Sequence, residues 1–206
     1  MKNIGNYRLL GKVNETVYSA LYRARRAAGG GHFLVKVAEW HEKSAADIAM
    51  LCQEYENLGR LKIEGVVTPL DVLEYEGGVA LVYENLPEKS LASFLDQKPL
   101  NISIFLDVSL RLAEILASLH RHGIVHRNLK PTNILIGSKW DKCLITDMGM
   151  LPQGFFEQGD VGSPQVIDSV LPYIAPELTG RVNRGIDNRA DLYSLGTVFY
   201  EILTGR

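Results

Sequence analysis

Two short apolar runs late in the chain are spaced so that they bring an amide and a carboxylate side chain together. Residues 134–136 and 143–146 are typical of strands, and residues 137–141 between them are typical of a turn. Asn133 directly precedes the first run and Asp147 directly follows the second, so a β-hairpin places both side chains at one end. Magnesium prefers a few carboxylate or carbonyl oxygens together with phosphate oxygens. The spacing therefore predicts a site for Mg²⁺ and phosphate at this end of the hairpin.

The segment that leads into this hairpin is cationic. It reads His126-Arg127-Asn128-Leu129-Lys130-Pro131-Thr132-Asn133, and Asp147-Met148-Gly149 follows the second strand. This combination resembles the catalytic and metal-binding loops of the eukaryotic-type protein kinases. The resemblance implies that Asn128 and Lys130 lie at the catalytic centre and that Asn133 and Asp147 hold Mg²⁺. A plain turn aspartate is the alternative for Asp147, and the upstream segment argues against it.

Asn128 departs from the family pattern, because the family places its catalytic aspartate there. That aspartate accepts a hydrogen bond from the substrate hydroxyl and takes its proton, whereas an asparagine carbonyl cannot hold a proton near neutral pH. Losing a general base lowers the rate by about 10²–10⁴-fold. Val170 stands where the family has a threonine that contacts this aspartate. Because phosphoryl transfer depends mostly on positioning and charge neutralisation, a slow residual rate remains physically allowed.

The rest of the chain changes from β-rich to helical near its middle. The predicted strands are 7–10, 17–23, 33–37, 67–73 and 79–83, with one helix from Ser44 to about Leu61. From about Pro87 the apolar spacing favours helices, over 103–121 and from about Arg189 to Leu203.

This order extends the kinase resemblance over essentially the whole chain. It implies an α+β, bilobal kinase-like fold with a β-rich small lobe at 1–83, a hinge at 84–87 and a helical large lobe at 88–206. The large lobe is expected to be incomplete, ending at its central helix, whose apolar surface would then lack cover. Residues 171–184 and 191–196 resemble the kinase module of large bacterial and fungal multi-sensor signalling proteins. That resemblance implies regulated domains in the same, longer chain.

Lys36 is the candidate contact for nucleotide phosphates. It lies on an apolar strand, where a lysine must find a partner or leave the core. Glu54 on the following helix is the preferred partner, and Glu56 is a rival on a different helical face. In the kinase reading, the Lys36–Glu54 pair holds the lysine against the α- and β-phosphates. A solvated lysine on an edge strand is the alternative.

The resemblance also implies an ATP-binding pocket built from apolar and backbone groups. Gly11 leads a phosphate-covering loop that lacks the second and third glycines of the family pattern. Val17, Leu34 and Leu135 would sandwich the adenine, and Glu84 to Leu86 would meet its edge as the hinge. Ordinary core packing is the alternative for each apolar residue. We therefore expect ATP binding weaker than that of an intact kinase.

Composition narrows the class of protein. The formal net charge is −2 and the sequence pI is about 6.2, which gives no reason to expect nucleic acid or an anionic membrane as partner. The two cysteines, Cys52 and Cys143, fall inside predicted regular elements and are expected to be buried thiols. A cytoplasmic location is the resulting expectation.

Three functions fit these residues. The preferred one is an ATP-binding Ser/Thr protein-kinase-like signalling domain that is catalytically impaired by Asn128, a pseudokinase. The second is an active Ser/Thr kinase that transfers the ATP γ-phosphate to protein substrates, with Lys130 fitting the serine/threonine type. A small-molecule phosphotransferase is disfavoured by Ala175-Pro176-Glu177, which in the family anchors a platform for peptide substrates.

Overall fold

The computed structural model describes residues 3–15, 19–38, 45–59, 61–75, 78–86, 89–95, 98–148, 171–179, 182 and 184–206. The chain divides into two compact units. Met1–Lys62 and Val67–Pro87 form the first, and Ile63–Val66 and Glu88–Arg206 form the second. The lobe and hinge boundaries expected from the sequence stay a prediction, and the short segment Ile63–Val66 groups with the second unit.

The first unit is an antiparallel sheet with one helix. Its elements are β1 (Asn3–Ile4), β2 (Tyr7–Glu15), β3 (Ser19–Arg26), β4 (His32–Ala38), α1 (Ala45–Leu58), β5 (Asp71–Tyr75) and β6 (Gly78–Glu84). The six strands are ordered β1-β2-β3-β4-β6-β5. Strand β6 lies between β4 and β5 and has an apolar cluster on each face, so Val79 to Tyr83 are all buried.

The two faces of this sheet cover two apolar clusters. Ala80 and Val82 of β6 belong to a cluster with strands β1 to β4, whereas Leu81 and Tyr83 belong to a cluster with Leu51 of α1. This division follows from the strand period of two, which sends successive side chains to opposite faces. The alternation along β6 therefore determines which of its side chains face α1.

The second unit is mainly helical. It contains β7 (Lys89–Ser90), α2 (Ala92–Leu95), α3 (Ile102–Arg121), β8 (Ile134–Ile136), β9 (Cys143–Ile145) and α4 (Arg189–Thr204), with short 3₁₀ turns at Pro131–Asn133, Leu171–Tyr173 and Pro176–Thr179. The strands form a second sheet in the order β7-β8-β9. In the described part of the chain, no helix is long and apolar enough to cross a membrane.

Helices α3 and α4 have well-defined ends and buried inner faces. The Asn101 side chain accepts a hydrogen bond from the Ser103 amide at 2.8 Å and caps α3, whereas α4 ends at Gly205 in the left-handed conformation. The inner face of α3 buries Val108, Leu112, Ile115, Leu116 and Leu119. Its opposite face exposes Ile102, Leu106 and Leu110, and α4 exposes Leu192, Tyr193, Tyr200 and Leu203.

One predicted strand was placed wrongly. The run 67–73 was expected to be a strand, but the structure forms β5 at Asp71–Tyr75. Pro69 interrupts the earlier part of the run and has no amide to donate to a ladder. The other predicted elements match the structure to within a few residues at each end, except β2, which continues to Glu15. The short elements β1, β7 and α2 were not predicted.

Candidate functional site

Lys36 and Glu54 form a buried ion pair in the first unit. Lys36 Nζ lies 2.7 Å from Glu54 Oε2, and the two side chains are 4% and 1% exposed. The alternative of a solvated lysine is therefore wrong for this structure. Glu56, the rival partner, is exposed on another face of α1. Removing one partner of a buried ion pair is strongly destabilising, so the pair constrains substitution at both positions.

Tyr83 completes this pair, a role that sequence reasoning missed. Its hydroxyl donates a hydrogen bond of 2.7 Å to Glu54 Oε1, so both carboxylate oxygens of Glu54 are engaged. In the register of β4 and β6, Lys36 lies opposite Leu81 and Leu34 lies opposite Tyr83. Tyr83 therefore shares a sheet face with Lys36. The alternation of β6 is the signal that could have revealed it.

The other predicted nucleotide residues of the first unit lie on β2, β4 and the end of β6. Gly11 is exposed in β2, where a side chain would meet nothing within 4 Å. Leu34 is half-buried on the same face as Lys36, as its register requires. Glu84 is the exposed last residue of β6, and Leu86 follows half-buried. Val17 lies outside the described residues.

In the second unit, Asp191 holds the backbone of the cationic loop. Its Oδ2 accepts hydrogen bonds from the His126 amide and lies 2.8 Å from His120 Nε2, and its Oδ1 accepts from the Arg127 amide. Asp191 is fully buried in the first turn of α4. Sequence analysis placed it at a helix start and gave it no role. The sequence did contain a signal for this role: a carboxylate at the start of a helix that is apolar on several faces is expected to be buried and must then accept hydrogen bonds.

The hairpin β8–β9 forms as predicted and carries the predicted metal ligands at one end. Ile134 pairs with Ile145 and Ile136 pairs with Cys143. Asn133 directly precedes β8, and its carbonyl accepts a hydrogen bond of 3.0 Å from the Thr146 amide just beyond β9. Leu135, between the two buried isoleucines of β8, is half-buried and points to the other face.

Asn128 is bonded to both predicted metal ligands. Its backbone carbonyl accepts from Asn133 Nδ2 at 2.8 Å, and its own Nδ2 donates to the Asp147 carbonyl at 3.1 Å. Asp147 has the left-handed φ of 60° that few non-glycine residues adopt. The sequence predicted that these residues converge, but not that the side chain of Asn128 joins the two segments.

Lys130 and His126 have shifted pKa values with different consequences. Burial lowers the pKa of Lys130, and the nearby carboxylate of Asp147 opposes that shift. Burial also lowers the pKa of His126, against the opposing charges of Asp191 and Asp147. His126 Nδ1 accepts from the Asn128 amide at 3.2 Å, which fits a neutral imidazole. His126 is thus a buried packing residue, whereas Lys130 lies near the carboxylate of Asp147.

The donor chemistry at this end of the hairpin fits magnesium. The amide nitrogen of Asn133 is used by the Asn128 carbonyl, so its side-chain oxygen is the atom left for a cation. That oxygen also accepts from Thr132 Oγ1 at 3.3 Å and keeps a second lone pair. Asp147 supplies a carboxylate, and magnesium favours this kind of oxygen set.

Comparison with known proteins places the chain in a family. The model of the protein kinase domain matches residues 7–206. The chain belongs to the protein kinase family. It is 28% identical over 207 residues to the serine/threonine-protein kinase Pkn1 of Myxococcus xanthus, and 29% identical over 207 residues to a probable serine/threonine-protein kinase of Clostridium perfringens. The resemblance to eukaryotic-type Ser/Thr kinases is therefore confirmed.

Solved structures show the same fold. Rad53 in complex with AMP-PNP superposes with a TM-score of 0.76 at 24% identity, covering 98% of this chain and 49% of that one. The PknI kinase domain of Mycobacterium tuberculosis gives 0.74 at 20% identity, covering 99% of this chain and 76% of that one. The predicted α+β kinase fold is confirmed.

The curated relatives are much longer than this chain. The alignments cover 98% of this chain and 29% of Pkn1, and 99% of this chain and 30% of the Clostridium perfringens protein. The chain therefore corresponds to less than a third of each of these two relatives.

Proposed function

We propose that this domain binds Mg²⁺-ATP and acts as a Ser/Thr protein-kinase-like signalling module with impaired phosphoryl transfer. The observation that carries the proposal is the bonding of Asn128. The residue at the family's catalytic position is an amide that donates to the Asp147 carbonyl, rather than a carboxylate that can accept a proton.

The binding half of the proposal rests on groups that are already positioned. Glu54 and Tyr83 hold Lys36 in the first unit, and in this proposal the lysine contacts the α- and β-phosphates of ATP. Asn133 and Asp147 would hold Mg²⁺ at the end of the hairpin. When bound, the ion would neutralise charge that develops on the phosphate oxygens. The AMP-PNP complex of Rad53 supports a nucleotide as the ligand of this fold.

The transfer half of the proposal rests on chemistry at two positions. Asn128 can orient a substrate hydroxyl through its carbonyl oxygen but cannot hold the proton. Lys130 lies near the carboxylate of Asp147, and in this proposal its side chain stabilises a transferring phosphoryl group. We therefore expect slow transfer to Ser or Thr hydroxyls of protein substrates, slower by about 10²–10⁴-fold than with a carboxylate base.

An active Ser/Thr kinase is the second candidate function. The protein kinase relatives and the retained Lys36, Lys130, Asn133 and Asp147 favour it. Under either function, the domain is proposed to act on, or to regulate, other domains of a longer chain. The small share of the relatives' length that it covers supports that arrangement.

Nucleotide binding is tested by thermal unfolding of the 206-residue chain with AMP-PNP, with and without Mg²⁺. We expect the melting temperature to rise with millimolar AMP-PNP and Mg²⁺, because a ligand that binds the folded state stabilises it by mass action. Asp147→Asn should remove most of the magnesium-dependent part of this rise, and Lys36→Met should weaken the response to the nucleotide itself.

The exposed Glu56 offers a matched control. Glu56→Gln removes a carboxylate from the same helix as Glu54 without touching Lys36, so it should leave the response to AMP-PNP unchanged. An absent shift in the wild type, or a magnesium-dependent shift that survives Asp147→Asn, would contradict the proposal.

A further inference from the structure

Position 128 links the two segments that carry the predicted magnesium ligands. The Asn128 backbone carbonyl is bonded to the Asn133 side chain, and the Asn128 side chain is bonded to the Asp147 backbone. The bond to Asn133 uses main-chain atoms of residue 128 and is available to any residue there. The bond to Asp147 depends on the asparagine side chain alone.

The partner atom determines which side chain can make the second bond. A backbone carbonyl oxygen only accepts hydrogen bonds, so the group that faces it must donate. The Nδ2 of an asparagine is such a donor, whereas an ionised aspartate carries acceptors only. The aspartate that the family places at this position would therefore lose this bond and bring two oxygen atoms together.

Asp147 is the kind of residue whose backbone needs support. Its φ of 60° lies in the left-handed region, where a non-glycine residue is held against a cost of about 1–3 kcal/mol by its surroundings. Arg127, next to Asn128, has a similar φ of 62°, and its amide is held by the buried Asp191. The Asn128 amide plays the corresponding part for Asp147 by fixing the carbonyl of the same strained residue.

We propose that Asn128 is a positioning residue, whose side-chain amide holds Asp147 in the backbone conformation that presents its carboxylate to Mg²⁺. The substitution that removes a general base thereby adds a contact that favours metal-dependent nucleotide binding. This inference rests on the proposed function.

The test compares wild type with Asn128→Ala in the 206-residue chain. The alanine removes the bond to Asp147 and leaves the backbone bond to Asn133 in place. We expect the Mg²⁺ concentration for half-maximal AMP-PNP binding to rise about 2- to 10-fold, the range for one lost hydrogen bond. AMP-PNP affinity in EDTA should not change. Amide hydrogen exchange at Met148, whose peptide unit contains the Asp147 carbonyl, should become faster in the same variant.

Asn101→Ala is the matched control. It also replaces an asparagine in the second unit and removes a single side-chain hydrogen bond, here the cap of α3. It should change neither the Mg²⁺ requirement nor the exchange at Met148. A loss of stability alone would affect both variants.

Two results would overturn the inference. One is an unchanged Mg²⁺ requirement in Asn128→Ala, whatever the exchange shows. The other is an equal loss of AMP-PNP affinity with and without Mg²⁺. If wild type itself binds AMP-PNP no more tightly with Mg²⁺ than in EDTA, the proposed function fails instead. In that case hydrogen exchange still tests the hydrogen bond: an unchanged exchange rate at Met148 in Asn128→Ala would show that the Asn128 side chain does not hold the Asp147 backbone.

Discussion

At the residue scale, position 128 has two chemical roles that one side chain cannot fill together. An amide donates to the Asp147 carbonyl, whereas a carboxylate can take a proton from a substrate hydroxyl. An aspartate at this position would gain the second ability and lose the first. Its effect on transfer and its effect on metal binding should therefore be separable.

We expect Asn128→Asp to raise the rate of phosphoryl transfer. If chemistry limits the rate, restoring a base gives a gain of up to about 10²–10⁴-fold, reduced by loss of the bond to Asp147. Val170, which lies outside the described residues, should limit the gain further because it cannot offer a hydroxyl to the new carboxylate. Val170→Thr should help little alone and more in combination, since both changes act on one group.

The measurement is phosphate incorporation into a generic Ser/Thr peptide by wild type, both single variants and the double variant. A wild-type rate of about 1–100 per second, which is usual for kinases, would contradict the proposal that transfer is impaired and would favour an active kinase. If the double variant stays inert while it binds AMP-PNP with Mg²⁺, the missing base is not the limiting defect. The glycine-poor loop after Gly11 would then be the next region to examine.

At the element scale, three elements of the first unit meet at one carboxylate. Strand β4 supplies Lys36, helix α1 supplies Glu54 and strand β6 supplies Tyr83. The pairing of β4 with β6 puts the lysine and the tyrosine on the same face, and α1 covers that face. The position of α1 is thus coupled to the geometry of this pair.

We expect Glu54→Gln to destabilise the first unit by about 3–5 kcal/mol, because it removes the carboxylate charge that lies 2.7 Å from the buried Lys36 ammonium. Glu56→Gln, two residues further along the same helix and exposed, should stay within about 0.5 kcal/mol of wild type. Urea unfolding followed by far-UV circular dichroism measures both. Equal stability of the two variants would mean that the Lys36–Glu54 pair does not hold α1 in place.

At the scale of the whole molecule, the second unit has apolar surface on its outer helical faces. Ile102, Leu106 and Leu110 of α3 are 61%, 58% and 63% exposed and recur every four residues, so they form one stripe. Contiguous apolar surface of this kind promotes association in a soluble protein. Buried Leu112 on the opposite face belongs instead to the core of the unit.

We expect Leu106→Lys combined with Leu110→Lys to reduce self-association of the 206-residue chain. Because both side chains are exposed, the change in unfolding free energy should stay near the usual surface range of about 0.5 kcal/mol per site. Leu112→Ala should by contrast cost about 2–5 kcal/mol. Light scattering against concentration and urea unfolding measure the two effects. A large loss of stability in the double lysine variant would show that this stripe is covered in solution.

The sequence alone determined those features that depend on local pattern. Apolar periodicity located α1, α3, α4 and most strands, because burial on one face imposes a period on the chain. The spacing of Asn133 and Asp147 around two short strands predicted the hairpin, and β8 and β9 form it. Glu54 was preferred to Glu56 as the partner of Lys36 because the two glutamates lie on different faces of the helix, and the Lys36–Glu54 ion pair is present.

The tertiary structure decided the contacts that join residues far apart in the chain. The bonds from Asp191 to the loop at His126 and from Asn128 to Asp147 leave no periodic trace in the sequence. The alternation of β6 gives the face on which Tyr83 lies, but not its bond to Glu54. Each of these bonds depends on the meeting of side chains from separate elements, which strand register and loop geometry set together. Strand β5 begins after Pro69, because a strand needs backbone donors as well as apolar side chains and proline has no amide hydrogen. Local pattern specifies the elements, whereas the particular atoms that meet are chosen by how the elements pack.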